Sequence, residues 1–146
     1  MACEMMIGTY EHRLDSKGRL VLPSRFRQEM GEQLVASVGV ERCISLYSKD
    51  EWEKLLEKLQ KMPFSQSKAR DFLRVFLATA HEITLDSAGR ILLPQMLKSH
   101  AYLETEVSII GVGDHLEIWD RETWNKYRQD ILSNLSTIVE GVEWKQ

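Results

Sequence analysis

Asp15-Ser16-Lys17-Gly18-Arg19-Leu20-Val21-Leu22-Pro23 returns 71 residues later (86 − 15) as Asp86-Ser87-Ala88-Gly89-Arg90-Ile91-Leu92-Leu93-Pro94. Six of the nine positions are identical, and the other three are Lys/Ala, Leu/Ile and Val/Leu. The offset is about half of a 146-residue chain, so the sequence holds two copies of one small unit. Each copy joins a polar turn to an apolar extended run. Asp at the head of the turn can accept backbone N–H groups two or three residues on, and Gly can take the positive φ that the turn requires.

Working outward, Thr9 to Leu14 alternates apolar or aromatic residues with polar ones, the pattern of a half-buried strand. With Arg19–Leu22 on the far side of the turn, the expectation is a β-hairpin. Pro23-Ser24 then opens a short helix through Phe26 and Met30 that Gly31 ends. Gln33–Val38 and Cys43–Tyr47 read as strands. Ser48-Lys49-Asp50-Glu51 is a capping box, followed by Trp52, Leu55, Leu56 and Leu59 at helical spacing. Met62-Pro63 breaks that helix, and a second, from about Ser67 to Ala80, leads into the other copy.

The second copy repeats the order: strand Glu82–Leu85, turn, strand, Pro94 and short helix. Strands Glu106–Val112 and Leu116–Trp119 follow, and then a helix with Trp124, Tyr127, Ile131, Leu132 and Leu135 in register. Trp119 and Trp124 stand 72 positions after Tyr47 and Trp52, which predicts one residue gained near Gly111–Asp114. The expected organisation is repeat 1 over 9–51, a helical linker over 52–79, repeat 2 over 80–123, and a C-terminal helix and tail over 124–146. Each unit of about 70 residues is marginal as a separate core, so the halves are expected to pack on one another or on other subunits.

The net charge of −3 gives no whole-molecule attraction to nucleic acid or acidic membrane, so anion binding must come from a local patch. Arg13, Lys17, Arg19, Arg25 and Arg27 face only Asp15 within 13–27, a local excess of +4. The matched stretch 84–98 holds Arg90 and Lys98 against Asp86, an excess of +1. Asp15, Gly18, Asp86 and Gly89 read as the residues that build the turns. Arg supplies a rigid fork suited to phosphate oxygens or to the guanine edge.

Enzyme readings find less support. His12, His81, His100 and His115 share no ligand spacing, and neither Cys3 nor Cys43 lies in a metal or catalytic signature. No nucleophile–base pair, phosphate-cradling glycine motif or membrane-length apolar run is present. No catalytic residue, metal, cofactor or small-molecule substrate is expected. Two distant cysteines and no leader pattern point to the cytoplasm.

The two turns DSKGRLVLP and DSAGRILLP, each followed by a short helix and the second by a Trp-bearing helix, resemble the MraZ family of two-repeat regulators in the AbrB/SpoVT superfamily. The resemblance runs from about Met5 to the C-terminal helix; residues 1–4 precede the usual family start. It implies an α+β fold, with duplicated β-hairpin/helix modules intertwined in a small barrel and flanked by amphipathic helices. It also implies a ring-shaped homo-oligomer, associated with the nucleoid, that binds repeated short G-rich elements of double-stranded DNA. Those elements would lie in the promoter of the division and cell-wall gene cluster. By position, Lys17, Arg19 and Arg90 would contact DNA; charge clustering adds Arg13, Arg25 and Arg27. Ala88 stands where the first copy has Lys17, so the turns are expected to contribute unequally.

Two other functions compete. A ring-forming scaffold without DNA binding suits the acidic charge but not the 13–27 cluster. An AbrB-type antitoxin would usually carry one hairpin module and a disordered tail, whereas this C-terminal region reads as a capped helix.

Overall fold

The strands on either side of each turn do not pair with each other. In the computed structural model, which describes residues 5–144, the first copy comprises β1 (Met6–Arg13), β2 (Arg19–Val21), α1 (Ser24–Met30), β3 (Gln33–Val38) and β4 (Ile44–Ser48). Helices α2 (Lys49–Leu59) and α3 (Ser67–Ala78) lead to the second copy. That copy comprises β5 (His81–Thr84), β6 (Arg90–Leu92), α4 (Gln95–His100), β7 (Glu106–Gly113) and β8 (Leu116–Asp120), followed by α5 (Arg121–Ser133) and α6 (Leu135–Glu140). β1 pairs antiparallel with β7, β5 with β3, and β2 with β6. Every strand that touches a turn is thus matched to the other copy, which is the intertwining expected, but the hairpin within each copy is not formed.

The physical reason lies in the burial of β2 and β6. Leu20, Leu22, Ile91 and Leu93 alternate with more exposed neighbours and are 0–2% exposed. A three-residue strand has too few backbone partners to stand alone. Pairing β2 with β6 satisfies both and lays their apolar faces on one core. The turn itself closes with Asp15 N–H donating to Arg19 O (3.0 Å) and Gly18 N–H to Asp15 O (3.0 Å), and the ladder goes no further on that side.

The larger sheet has six strands in the order β1-β7-β8-β4-β3-β5, all antiparallel. The register reveals a pseudo-twofold axis. Leu20 faces Ile91, its own counterpart in the other copy, and Ser45 faces Glu117, again its counterpart. The axis therefore passes through the centre of the β2–β6 ribbon and through the β4–β8 pair.

Register also corrects the expected position of the length difference. His12 pairs with Val107, and its counterpart Ile83 pairs with Leu34, so β7 lies 73 positions after β3 (107 − 34). Two residues are gained in the 101–105 connection after α4, and one is lost again at the β7–β8 turn. Tyr102 stands 71 positions after Gly31 (102 − 31) and, like it, lies at positive φ, +53° against +78°.

The main core lies between the six-stranded sheet and the ribbon with α1 and α4. Leu20, Leu22, Phe26, Ile91, Leu93 and Leu97 meet Leu34, Ile44, Leu46, Val107, Ile109 and Ile118 there. On the other side of the sheet, Trp119 packs with Cys43, Ile110 and Trp124. α2 and α3 join through Leu59, Leu73 and Phe76, with Trp52 against them. The repeated aromatic pairs occupy equivalent places, Tyr47–Trp52 at 5.7 Å and Trp119–Trp124 at 5.3 Å between centroids. Ser48 caps α2 by accepting from Glu51 N–H at 3.2 Å, while the Glu51 carboxylate takes Lys54 instead of closing the box. The C-terminal helix divides at Asn134, so Leu135 opens α6 rather than continuing the register of α5.

Candidate nucleic-acid interface

The two turns are built alike, atom for atom. Asp15 Oδ1 accepts from the backbone N–H groups of Lys17 and Arg19, each at 2.9 Å, while Oδ2 takes Arg19 Nε at 2.7 Å. Asp86 Oδ1 accepts from Ala88 and Arg90 N–H at 2.9 Å, and Oδ2 takes Arg90 Nε at 2.8 Å. These bonds, the backbone N–H of Arg19 and Arg90 foremost, hold both carboxyls below their ordinary pKa. Gly18 and Gly89 supply φ +78° and +75°, where a side chain is strained.

The clamp fixes each guanidinium by its Nε alone. Among the described residues, no hydrogen bond or ion pair engages Nη1 or Nη2 of either arginine. Both side chains keep about a third of their surface, 29% and 30%. Their strands place them together. In the β2–β6 ribbon Leu20 and Ile91 point inward, so Arg19, Val21, Arg90 and Leu92 occupy the outer face, with Arg19 across from Leu92 and Val21 across from Arg90. Two forks with open donor ends therefore stand diagonally on one two-stranded ribbon, an element that the major groove admits. Diagonal neighbours on a ribbon stand roughly 7–8 Å apart.

The strand exchange also reassigns the helix cations. Because β2 and β6 run antiparallel, each strand ends beside the other copy's turn: Leu22 N–H donates to Gly89 O (3.1 Å) and Leu93 N–H to Gly18 O (3.2 Å). The helix that follows each proline then lies over the opposite turn. Lys98 of α4 brings Nζ to 2.5 Å from where a Cβ on Gly18 would be, and the Arg27 guanidinium occupies the equivalent place over Gly89. A depression of about 180 Å³ beside the first turn is accordingly lined by Asp15, Ser16 and Gly18 together with Gln95, Lys98 and Glu104.

Of the candidate residues, the structure thus groups Lys17 and Arg19 at the first turn and Arg90 with Arg27 at the second. Arg25 is exposed on α1, and Arg13 ends β1 opposite Glu106, whose carboxylate is held by Arg121. Lys98 was missed as a site residue. Its signal was present, since it stands 71 positions after Arg27 (98 − 27), but the exchange that carries it to the first turn is a tertiary feature. With Lys98 added, the first turn has three cations and the second two, a smaller imbalance than the sequence stretches suggested.

The remaining reactive groups are packed into the structure. Burial first, then Glu117 and Glu41, pushes the Cys43 thiol up, which keeps it protonated. His100 lies within hydrogen-bond reach of Gly39 O and Glu41 O, and His115 stacks on Tyr47. Among the described residues, no cluster of His, Cys, Asp or Glu is placed to hold a metal ion, and no helix is long and apolar enough to cross a membrane.

Two strand-exchanged copies, each presenting an Asp-clamped arginine on the shared central ribbon, define a two-repeat α+β protein. The sequence matches the family described as "MraZ protein, putative antitoxin-like" twice, over residues 5–75 and 76–140. It is 49% identical over 132 residues to the transcriptional regulator MraZ of Alkaliphilus metalliredigens, covering 90% of this chain and 91% of that protein. It is 42% identical over 139 residues to the transcriptional regulator MraZ of Caldanaerobacter subterraneus subsp. tengcongensis, covering 95% and 97%. The chain belongs to the MraZ family.

Proposed function

We propose that this protein is a sequence-specific DNA-binding transcriptional regulator, cytoplasmic and nucleoid-associated, without catalytic activity. It acts as a ring-shaped homo-oligomer on repeated short G-rich promoter elements of the division and cell-wall gene cluster. The observation that carries the reading is the outer face of the β2–β6 ribbon, where Arg19 and Arg90 are clamped at Nε with both Nη groups unengaged. Such a fork is organised before binding, so little rotamer entropy remains to be lost when it meets guanine O6 and N7. Lys17, Arg25, Arg27 and Lys98 surround the ribbon as phosphate contacts; Arg13, opposite Glu106, lies at its margin.

One ribbon with a handful of cations binds weakly and with strong salt dependence. Several ribbons on a ring, engaging direct repeats together, raise avidity by roughly 10²–10⁴. The surface for such assembly is the exposed apolar set Phe72 and Val75 on α3 with Leu132, Leu135, Ile138 and Val139 on α5 and α6; α5 and α6 contain no buried residue.

Footprinting on DNA upstream of the protein's own gene tests the proposal. Protection at regularly spaced repeats, abolished by Arg19→Ala in a variant that still assembles, is the expected result. Equal protection by the variant would remove the ribbon from the interface. The scaffold reading, favoured by the same apolar helices, predicts no affinity for repeat or random DNA even at low salt.

A further inference from the structure

The outer face of the ribbon carries two aliphatic residues as well as two arginines, and Leu92 takes no part in the hydrophobic core. Leu92 is 59% exposed in the middle of an otherwise well-packed module, while its chain neighbours Ile91 and Leu93 are 0% and 2% exposed. It sits directly across from Arg19, and its counterpart Val21 sits directly across from Arg90. The face is therefore a two-by-two checkerboard in which each arginine has an aliphatic partner on the opposite strand. A single exposed leucine is ordinary on a protein surface. One fixed by register beside a guanidinium with free Nη groups is placed for recognition.

We infer that Leu92 is a specificity-determining residue that reads the C5-methyl group of a thymine next to the base taken by Arg19, with Val21 doing the same more weakly beside Arg90. The inference rests on the DNA-binding reading above and extends it from affinity to sequence choice. Paired strands lie about 4.8 Å apart, and successive bases are about 3.4 Å apart along a strand. Residues facing each other across the ribbon thus address adjoining base pairs. In the major groove, thymine alone presents a methyl group, and guanine presents only acceptors on its N7 and O6 edge. Leu92 has no donor. Placed over guanine it would strip water from those acceptors without replacing the hydrogen bonds, which is unfavourable; placed over thymine it buries apolar surface on both sides. The shorter Val21 side chain is only half exposed, so its reach is smaller.

The test uses the full-length protein and a labelled duplex carrying the footprinted repeats, alongside duplexes in which one thymine at a time is replaced by deoxyuridine. Removing the methyl group at the contacted thymine should weaken wild-type binding roughly fourfold, the worth of one buried methyl group. Leu92→Ala should bind the thymine duplex about as weakly as wild type binds the deoxyuridine one, and should not distinguish the two. Leu92→Met, which keeps an apolar contact, should retain the discrimination. Wild type indifferent to every such replacement, or Leu92→Ala still discriminating, would overturn the inference while leaving DNA binding intact. Failure of wild type to prefer the repeat duplex over random DNA would overturn the function itself, and this inference with it.

Discussion

Replacing Leu20 by Ala should destabilise both copies together. Leu20 is 0% exposed and faces Ile91 at the pseudo-twofold axis, with the β2–β6 ribbon forming one wall of the main core. Removing three side-chain carbons from a fully buried leucine costs about 2–5 kcal/mol in transfer and cavity terms. A middle value of about 3 kcal/mol lowers the folding equilibrium by roughly two orders of magnitude. Because β1 is held by β7 and β5 by β3, neither copy keeps a complete sheet when the other opens. Urea unfolding at fixed protein concentration, in a Trp52→Phe background, is followed by circular dichroism for the whole chain and by tryptophan fluorescence for one part of it. Fluorescence then reports mainly on the second copy, through Trp119 and Trp124. Leu20 lies in the first copy, yet the fluorescence midpoint should fall as far as the dichroism midpoint. Ile91→Ala should cost a similar amount, and the double variant should depart from additivity because the two side chains share one site. A fluorescence transition that stays in place while the dichroism splits in two would refute the exchanged architecture.

Gly18→Ala and Gly89→Ala should each cost roughly 1–2 kcal/mol of stability, since Ala is strained at positive φ. They should also weaken DNA binding by displacing Lys98 or Arg27, as thermal melts and gel shifts would show. Asp15 and Asp86 titrate below their ordinary 3.8, so their contribution to stability is complete above that value and is lost as pH falls through the folded-state pKa. Urea midpoints should therefore fall below about pH 4 in wild type and change less there in Asp15→Asn/Asp86→Asn. Lys98→Ala should lower affinity for repeat and random DNA alike and reduce the slope of log K against log salt by about 0.9 per ribbon engaged; an unchanged slope would remove Lys98 from the phosphate contacts.

Most of the local structure was legible because its signals are local. The prolines before α1 and α4, Gly31 after α1, the Ser48 cap and the spacing of Leu55 and Leu59 report on chain conformation within a turn or two. The Asp15–Arg19 clamp was readable for the same reason, since Asp, Gly and Arg lie within five residues. The partner of each strand was not readable. The alternation in Leu20-Val21-Leu22 says which side is buried but not which strand lies beside it, so the sequence was equally compatible with a hairpin and with an exchange. From that one ambiguity follow the misplaced length change and the missed Lys98, both of which depend on which copy meets which. The division of the last helix at Asn134 escaped because apolar spacing continues across it into Leu135 and Ile138.

In the proposed function the two clamped arginines on the β2–β6 ribbon bind DNA. Fluorescence anisotropy of a labelled duplex carrying the upstream G-rich repeats, titrated with wild type and with Arg19→Ala/Arg90→Ala, tests it most directly. Each bidentate arginine–guanine contact is worth about 1–3 kcal/mol. The double variant should therefore lose at least about thirtyfold in affinity and bind repeat and random duplexes equally, with its assembly unchanged. A double variant that still prefers the repeats, at wild-type affinity, would mean that the ribbon arginines do not bind DNA.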